Sequence, residues 1–166
     1  MSLSGQVGVH AQLTQTSQGA TDLGPSTAPV NYLSNWDIAT GVAANQADLS
    51  YSAQRTIPGG GNEDLDLSAG TLTTLGATLA FAKIKAIIIE ALSSNSGNVT
   101  IGGAPSNAFV GPFGAATHQI VLPPGGVFSA RAPGLAGWAV TATTADLLRI
   151  AGANQVYKIV LVGTSA

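Results

Sequence analysis

Glu63, Asp64 and Asp66 form the densest group of side chains in this sequence that could do chemistry. Clustered carboxylate oxygens are what Ca²⁺ prefers. Leu65 and Leu67 alternate with Asp64 and Asp66, which predicts a strand with both aspartates on one face, about 6–7 Å apart. That separation makes no compact cage, and the spacing and terminal Glu of an EF-hand loop are missing. A carboxylate pair for glycoside hydrolysis would need a partner of raised pKa in a cleft. The residues favour a solvated strand face whose like charges discourage wrong pairing. His10 and His118 sit in contexts that match no catalytic motif, and the chain has no G-x-S-x-G, H-E-x-x-H or Walker sequence. Gly59-Gly60-Gly61 has no following Lys-Ser/Thr and reads as a turn. The absence of cysteine excludes disulfides, thiolate metal sites and thiol catalysis. No catalytic residue, cofactor or metal ligand is predicted.

Composition narrows the partners. Only 8% of the 166 residues are charged, with a net charge of −2, against about 25% in an ordinary globular domain. Six Lys and Arg cannot make the basic stripe that nucleic-acid binding needs. With 45% apolar residues the chain can bury a core. Residues 1–10 lack the basic and apolar regions of a signal peptide. The most apolar stretch, 79–92, is interrupted by Lys83, Lys85 and Glu90, so no membrane span is expected.

The elements that must position these residues divide near residue 46. Residues 1–46 carry only Asp22 and Asp37 as charges and are rich in small polar residues. Val7, Val9, Ala11 and Leu13 alternate with polar residues, which predicts one short strand. Gly24-Pro25 and Ala28-Pro29 are expected to stop regular structure. Tyr32, Leu33, Trp36 and Ile38 form the apolar cluster of an otherwise extended arm. From residue 47, eight or nine short β-like runs alternate with Gly/Pro/Asn turns, the pattern of an antiparallel sandwich. The run 82–92 has helix formers, but Ile87-Ile88-Ile89 favours a strand. Its strict alternation puts Ile84, Ala86 and Ile88 on one face, and Lys83, Lys85, Ile87 and Ile89 on the other. Strands apolar on both faces need both faces covered, by the arm or by a neighbouring subunit.

Several strings carry a resemblance: Arg55 to Leu67, Gly70-Thr71-Leu72, Phe81 to Ile89, Gly97 to Gly102, Pro124-Gly125-Gly126, Gly137 to Ala142 and Asp146 to Ile150. This texture of strands and turns, over about residues 47–163, resembles small structural proteins of tailed bacteriophages, of the jelly-roll kind that decorate or cement capsids. The fold expected is therefore an all-β, antiparallel jelly-roll-like β-sandwich (47–166) with an extended N-terminal arm (1–46). The resemblance implies a homotrimer bound to the major capsid protein of the same phage, made in the host cytoplasm and placed on the virion surface. Tyr32, Leu33, Trp36, Ile87 and Ile89 are the expected interface residues, with no nucleic acid and no membrane as partner. The alternative is a tail or spike component that binds a host receptor or glycan through Trp138 or Tyr157, and a third reading is a glycan-cleaving enzyme using Asp64 and Asp66.

Overall fold

Alternating apolar residues flanked by Gly, Pro and Asn turns produce strands wherever they occur in this chain. The computed structural model describes residues 2–17 and 26–166, and among them there is no helix. Gly24-Pro25 lies outside the described residues.

Two sheets form a β-sandwich. The first is built from β4 (Leu49–Thr56), β8 (Lys83–Ala91), β11 (Val127–Arg131) and β14 (Val156–Thr164), in the order β11-β8-β14-β4. The short β12 (Trp138–Ala139) extends its β8 edge. The second sheet runs β10-β9-β13-β5, from β5 (Asn62–Asp66), β9 (Val99–Gly102), β10 (Gln119–Leu122) and β13 (Leu147–Ala151). The ambiguous run 82–92 is the central strand β8, because three adjacent β-branched residues fit a pleat covered on both sides. Ile57, Leu67, Ile87, Ile89, Ile101, Leu148, Ile150 and Leu161 fill the space between the sheets.

The pairing follows one scheme. Strands β4, β5, β8 and β9 run out and β10, β11, β13 and β14 run back, giving pairs β9–β10, β8–β11, β5–β13 and β4–β14. This long ribbon then rolls on itself, so that β14 also pairs with β8 and β13 with β9. Between β5 and β8 lies a small hairpin that the sequence reading did not assign, β6 (Leu72–Thr74) with β7 (Ala77–Leu79). Its two turn residues, Leu75 and Gly76, both have positive φ, the conformation of a type I′ turn. Leucine is a poor residue for that conformation, which hid the turn from view.

One irregularity changes which side chains face the core. Across β14, Val162 pairs with Ala86 but Gly163 pairs with Ile84, leaving Lys85 as the extra residue of a β-bulge. The bulge breaks strict alternation. Ile84 therefore joins Ile87 and Ile89 in the main core, while Ala86 and Ile88 face outward.

The N-terminal region departs further from expectation. In place of one short strand in an extended arm, β1 (Gly5–Ser17) and β2 (Ser26–Thr40) form a long antiparallel ribbon, and β3 (Gln46–Ala47) adds in parallel to the end of β2. Strand β2 runs straight through Ala28-Pro29. Each strand of a two-stranded ribbon has an open edge, where proline is tolerated.

Candidate functional site

The acidic group of β5 is separated into three local roles. Strand alternation turns Glu63 toward the facing sheet, where it accepts from Arg55 Nη2 at 2.7 Å and from the Tyr157 hydroxyl at 2.6 Å. Burial, then the bond to Glu63, pushes the Tyr157 phenol well above the usual tyrosine range. The same carboxylate holds Arg55 above its ordinary value. Asp64 faces outward and forms a two-pronged pair with Arg149, at 2.7 and 2.8 Å, which raises the Arg149 pKa. Asp66 caps the following turn, accepting from the Ser68 and Ala69 amides at 2.9 Å. Among the described residues no three His, Cys, Asp or Glu converge on a point that could hold a metal.

The other candidates are dispersed over the fold. Gly59-Gly60-Gly61 is a turn closed by the Gly61 amide on the Pro58 carbonyl at 3.0 Å. His118 Nδ1 lies 2.8 Å from the Phe113 carbonyl, and His10 is exposed on the ribbon opposite Leu33. Trp138 is half-buried against the main core. Tyr157 is fully buried, so it has no face to offer a sugar.

The expected interface residues separate into two sets. Ile87 and Ile89 lie wholly inside the sandwich, covered by this chain's own second sheet, so they are unavailable to a partner. The reason is the two-layer packing: the face that sequence left uncovered is the core face. Trp36 is also buried, 5% exposed, because the ribbon folds back over the outer face of the first sheet. Tyr32 and Leu33 remain on the surface, 55% and 65% exposed.

The ribbon has two unlike faces. Cross-strand partners share a face, so the register places Ile38, the Val7–Trp36 pair, Val9, the Ala11–Tyr32 pair and the Leu13–Val30 pair on one side. The opposite side carries Gln6–Asp37, Gly8–Asn35, His10–Leu33 and Gln12–Asn31. At its base the apolar side is docked: Val7, Trp36 and Ile38 pack with Ala47, Ala86 and Val162 in a second core. Further out the same side is open at Val9, Leu13, Val30 and Tyr32.

Two cations of the first sheet fix the docked end. Arg131, on β11, donates to the carbonyls of Val7 at 3.1 Å and Ser34 at 3.3 Å, and to Ser34 Oγ at 2.6 Å. Lys85, on the bulge, donates to the carbonyls of Ala43 and Gln46 at 2.5 and 2.9 Å. Burial, and then Lys83 nearby, lowers the Lys85 pKa. The bulge therefore supplies the cation that holds the loop between ribbon and sandwich. No periodicity in the sequence marks either contact, since each joins residues about 40 to 125 positions apart.

The outer face of the first sheet is arranged in three cross-strand rows. The first, Arg131, Ala86, Val162 and Ser50, lies under the ribbon base. The second, Ser129, Ile88, Val160 and Ser52, is uncharged and only partly covered. The third contains the Glu90–Lys158 pair at 3.3 Å, flanked by Val127 and Gln54. A shallow groove of about 300 Å³ runs along β4 and β14 beside Ser52, Gln54, Lys158 and Val160.

Charge is committed internally throughout. Asp22 lies outside the described residues, and each other charged side chain has a partner within the chain. Besides those above, Asp37 accepts from Gln6, Asp48 from Ser165, and Asp146 from Ser68 and Thr143, while Lys83 donates to the Ala166 carbonyl. The ribbon's outer half exposes a run of apolar side chains on one face, and the second row of the sheet is only partly covered; Leu75, Val121, Val127 and Leu135 are exposed elsewhere. The chain matches no protein family, no curated protein and no solved structure.

Proposed function

We propose that this chain is a non-enzymatic structural subunit of a phage virion, which binds the assembled head and cements or decorates it. The observation that carries the reading is the ribbon, an apolar-faced arm held by its base on a sandwich and open along its outer half. The pairing order supports reading the sandwich as a jelly roll, in which four outgoing and four returning strands roll into two sheets. Jelly rolls recur in capsid proteins. The internal use of charge supports a surface that recognises uncharged protein, since no described cation is left for phosphates.

The ribbon accounts for how such a subunit would hold a shell. The free part of β1, Val9 to Ser17, is nine residues that at about 3.3 Å each span roughly 30 Å, enough to reach across a seam between neighbouring capsid subunits. Its backbone is already paired from Gly5–Ile38 to Ser17–Ser26, so docking does not carry the full ordering cost of a disordered segment. Burial of Leu33, exposed on the ribbon's opposite side, against the major capsid protein would contribute affinity. In a homotrimer three such arms would act together, and avidity would exceed each contact. Binding only to the assembled shell stabilises it by mass action.

The test is to purify virions, locate the protein by cryo-EM, and compare the heat stability of heads with and without it. The expected result is density on the head shell and a lower disruption temperature when the protein is missing. A protein absent from the head, or heads equally stable without it, overturns the reading.

A further inference from the structure

Within each chain, one stretch of the ribbon's apolar side already fits one row of the first sheet's outer face. Val7, Trp36 and Ile38 close over Ala86 and Val162, with Leu3, Ile88 and Val160 at the margin. Both surfaces continue past this joint. The ribbon goes on through Val9, Ala11–Tyr32 and Leu13–Val30, and the sheet goes on through Ser129, Ile88, Val160 and Ser52. Neither continuation carries a charge. Among the described residues the outermost hydrogen bonds between ribbon and sandwich come from Arg131, on the edge strand β11, so the ribbon's free half points past the edge of the sheet that holds its base. It cannot fold back onto the open row of its own sheet without giving up the Arg131 bonds. A ribbon of two strands is marginal in water by itself, so the free half needs a surface.

We propose that the free half of the ribbon seats on the partly open row of a second copy of this chain, with Leu13, Val30 and Tyr32 against Ile88 and Val160, beside the groove that Ser52 borders. The joint is head-to-tail: each copy gives a ribbon and receives one, and the rotation between copies decides whether a closed ring forms. The occupant is a second copy because the two leftover surfaces continue an interface that the chain already makes with itself, with the same uncharged chemistry. This rests on the self-association in the reading above and is independent of where in a virion the protein sits.

A head-to-tail joint has a signature that a face-to-face joint lacks. Leu13→Asp places a charge on the ribbon, and Ser52→Arg places one beside the receiving row; both positions are exposed, so both variants retain the fold, which circular dichroism checks. Sedimentation velocity at about 100 µM, where micromolar contacts are populated, should give an oligomer for the unaltered chain and a monomer for each variant alone. Mixing the two variants in equal amounts should restore one joint and give a heterodimer, because the first retains a sound row and the second a sound ribbon. A monomeric unaltered chain overturns both the joint and the self-association. An oligomer that survives in either variant overturns the joint alone. Monomeric variants that fail to pair when mixed also overturn it, in favour of ribbons meeting ribbons.

Discussion

Replacing Tyr157 by phenylalanine removes a single oxygen from between the two sheets. That hydroxyl donates to Glu63 Oε1 at 2.6 Å, and Glu63 also holds Arg55 at 2.7 Å, so one substitution weakens a clamp joining β14, β4 and β5. Tyr157 is fully buried, and Glu63 loses a donor that water cannot readily replace. A hydrogen bond to a charged group contributes about 1.5–3 kcal/mol. Taking about 2 kcal/mol, the melting temperature near neutral pH should fall by about 4–8 °C for a chain of this size. Alkaline pH then provides a second reading. Tyr157 has its pKa raised on folding, so its stabilising contribution is complete below the unfolded value of about 10 and is lost as pH rises toward the folded value. Above about pH 10 the unfolded chain releases this proton while the folded chain keeps it, and stability falls by about 1.4 kcal/mol per pH unit. The variant lacks that slope. Its deficit should therefore close at about pH 11.5, where the loss in the unaltered protein reaches about 2 kcal/mol. Lys85, lowered by burial and then by Lys83, acts in the opposite sense below its unfolded value of about 10.5, but it is present in both proteins and cancels in the difference. Urea unfolding followed by circular dichroism across this range measures the gap. A variant as stable as the parent near neutrality, or a gap unchanged up to about pH 11.5, would refute the clamp.

Other substitutions probe the remaining joints. Gly163→Ala would drive a Cβ onto the Lys83 carbonyl oxygen and the Phe81 ring where β14 crosses β8, and should cost about 3 kcal/mol in denaturant unfolding. Arg131→Ala removes three bonds from a charged guanidinium to the ribbon, of a kind that contributes about 1.5–3 kcal/mol each. Amide exchange at Val7 and Ser34 should then accelerate at least tenfold while β8 and β14 stay protected. Asp64→Asn breaks a partly exposed ion pair with Arg149 and should change stability by less than about 1 kcal/mol; a loss of several kcal/mol would give this pair a larger role than its exposure allows.

The low charge of the chain takes on a physical meaning from these contacts. Arg55, Arg131, Arg149, Lys85 and Lys158 each join segments that are distant in sequence or on different strands. Few charges suffice because uncharged polar side chains share the open surface, as Ser129 and Ser52 do on the second row of the first sheet. The ribbon carries a run of apolar residues open to solvent on one face, at Leu13, Val30 and Tyr32. Contiguous exposed apolar surface of this kind marks an interaction site.

What the sequence alone determined was the class of the fold and the strands whose periodicity is local. Leu49 to Ile57, Leu65 with Leu67, and the last run from Gln155 all alternate, and all became strands between the expected turns. The β-branched run at Ile87-Ile88-Ile89 decided strand over helix for the same reason: side-chain shape acts on its own backbone. Tertiary structure decided the rest. The Lys85 bulge depends on how β14 pairs with β8, and no property of residue 85 announces it. Strand β2 passes through Pro29 because a ribbon has free edges, and the partner β1 supplies the register. Ile87 and Ile89 lie in the core and Tyr32 on the surface, because a strand's two faces are equivalent by alternation until something packs against one of them. Periodicity says that a face must be covered; only the packed chain says which neighbour covers it.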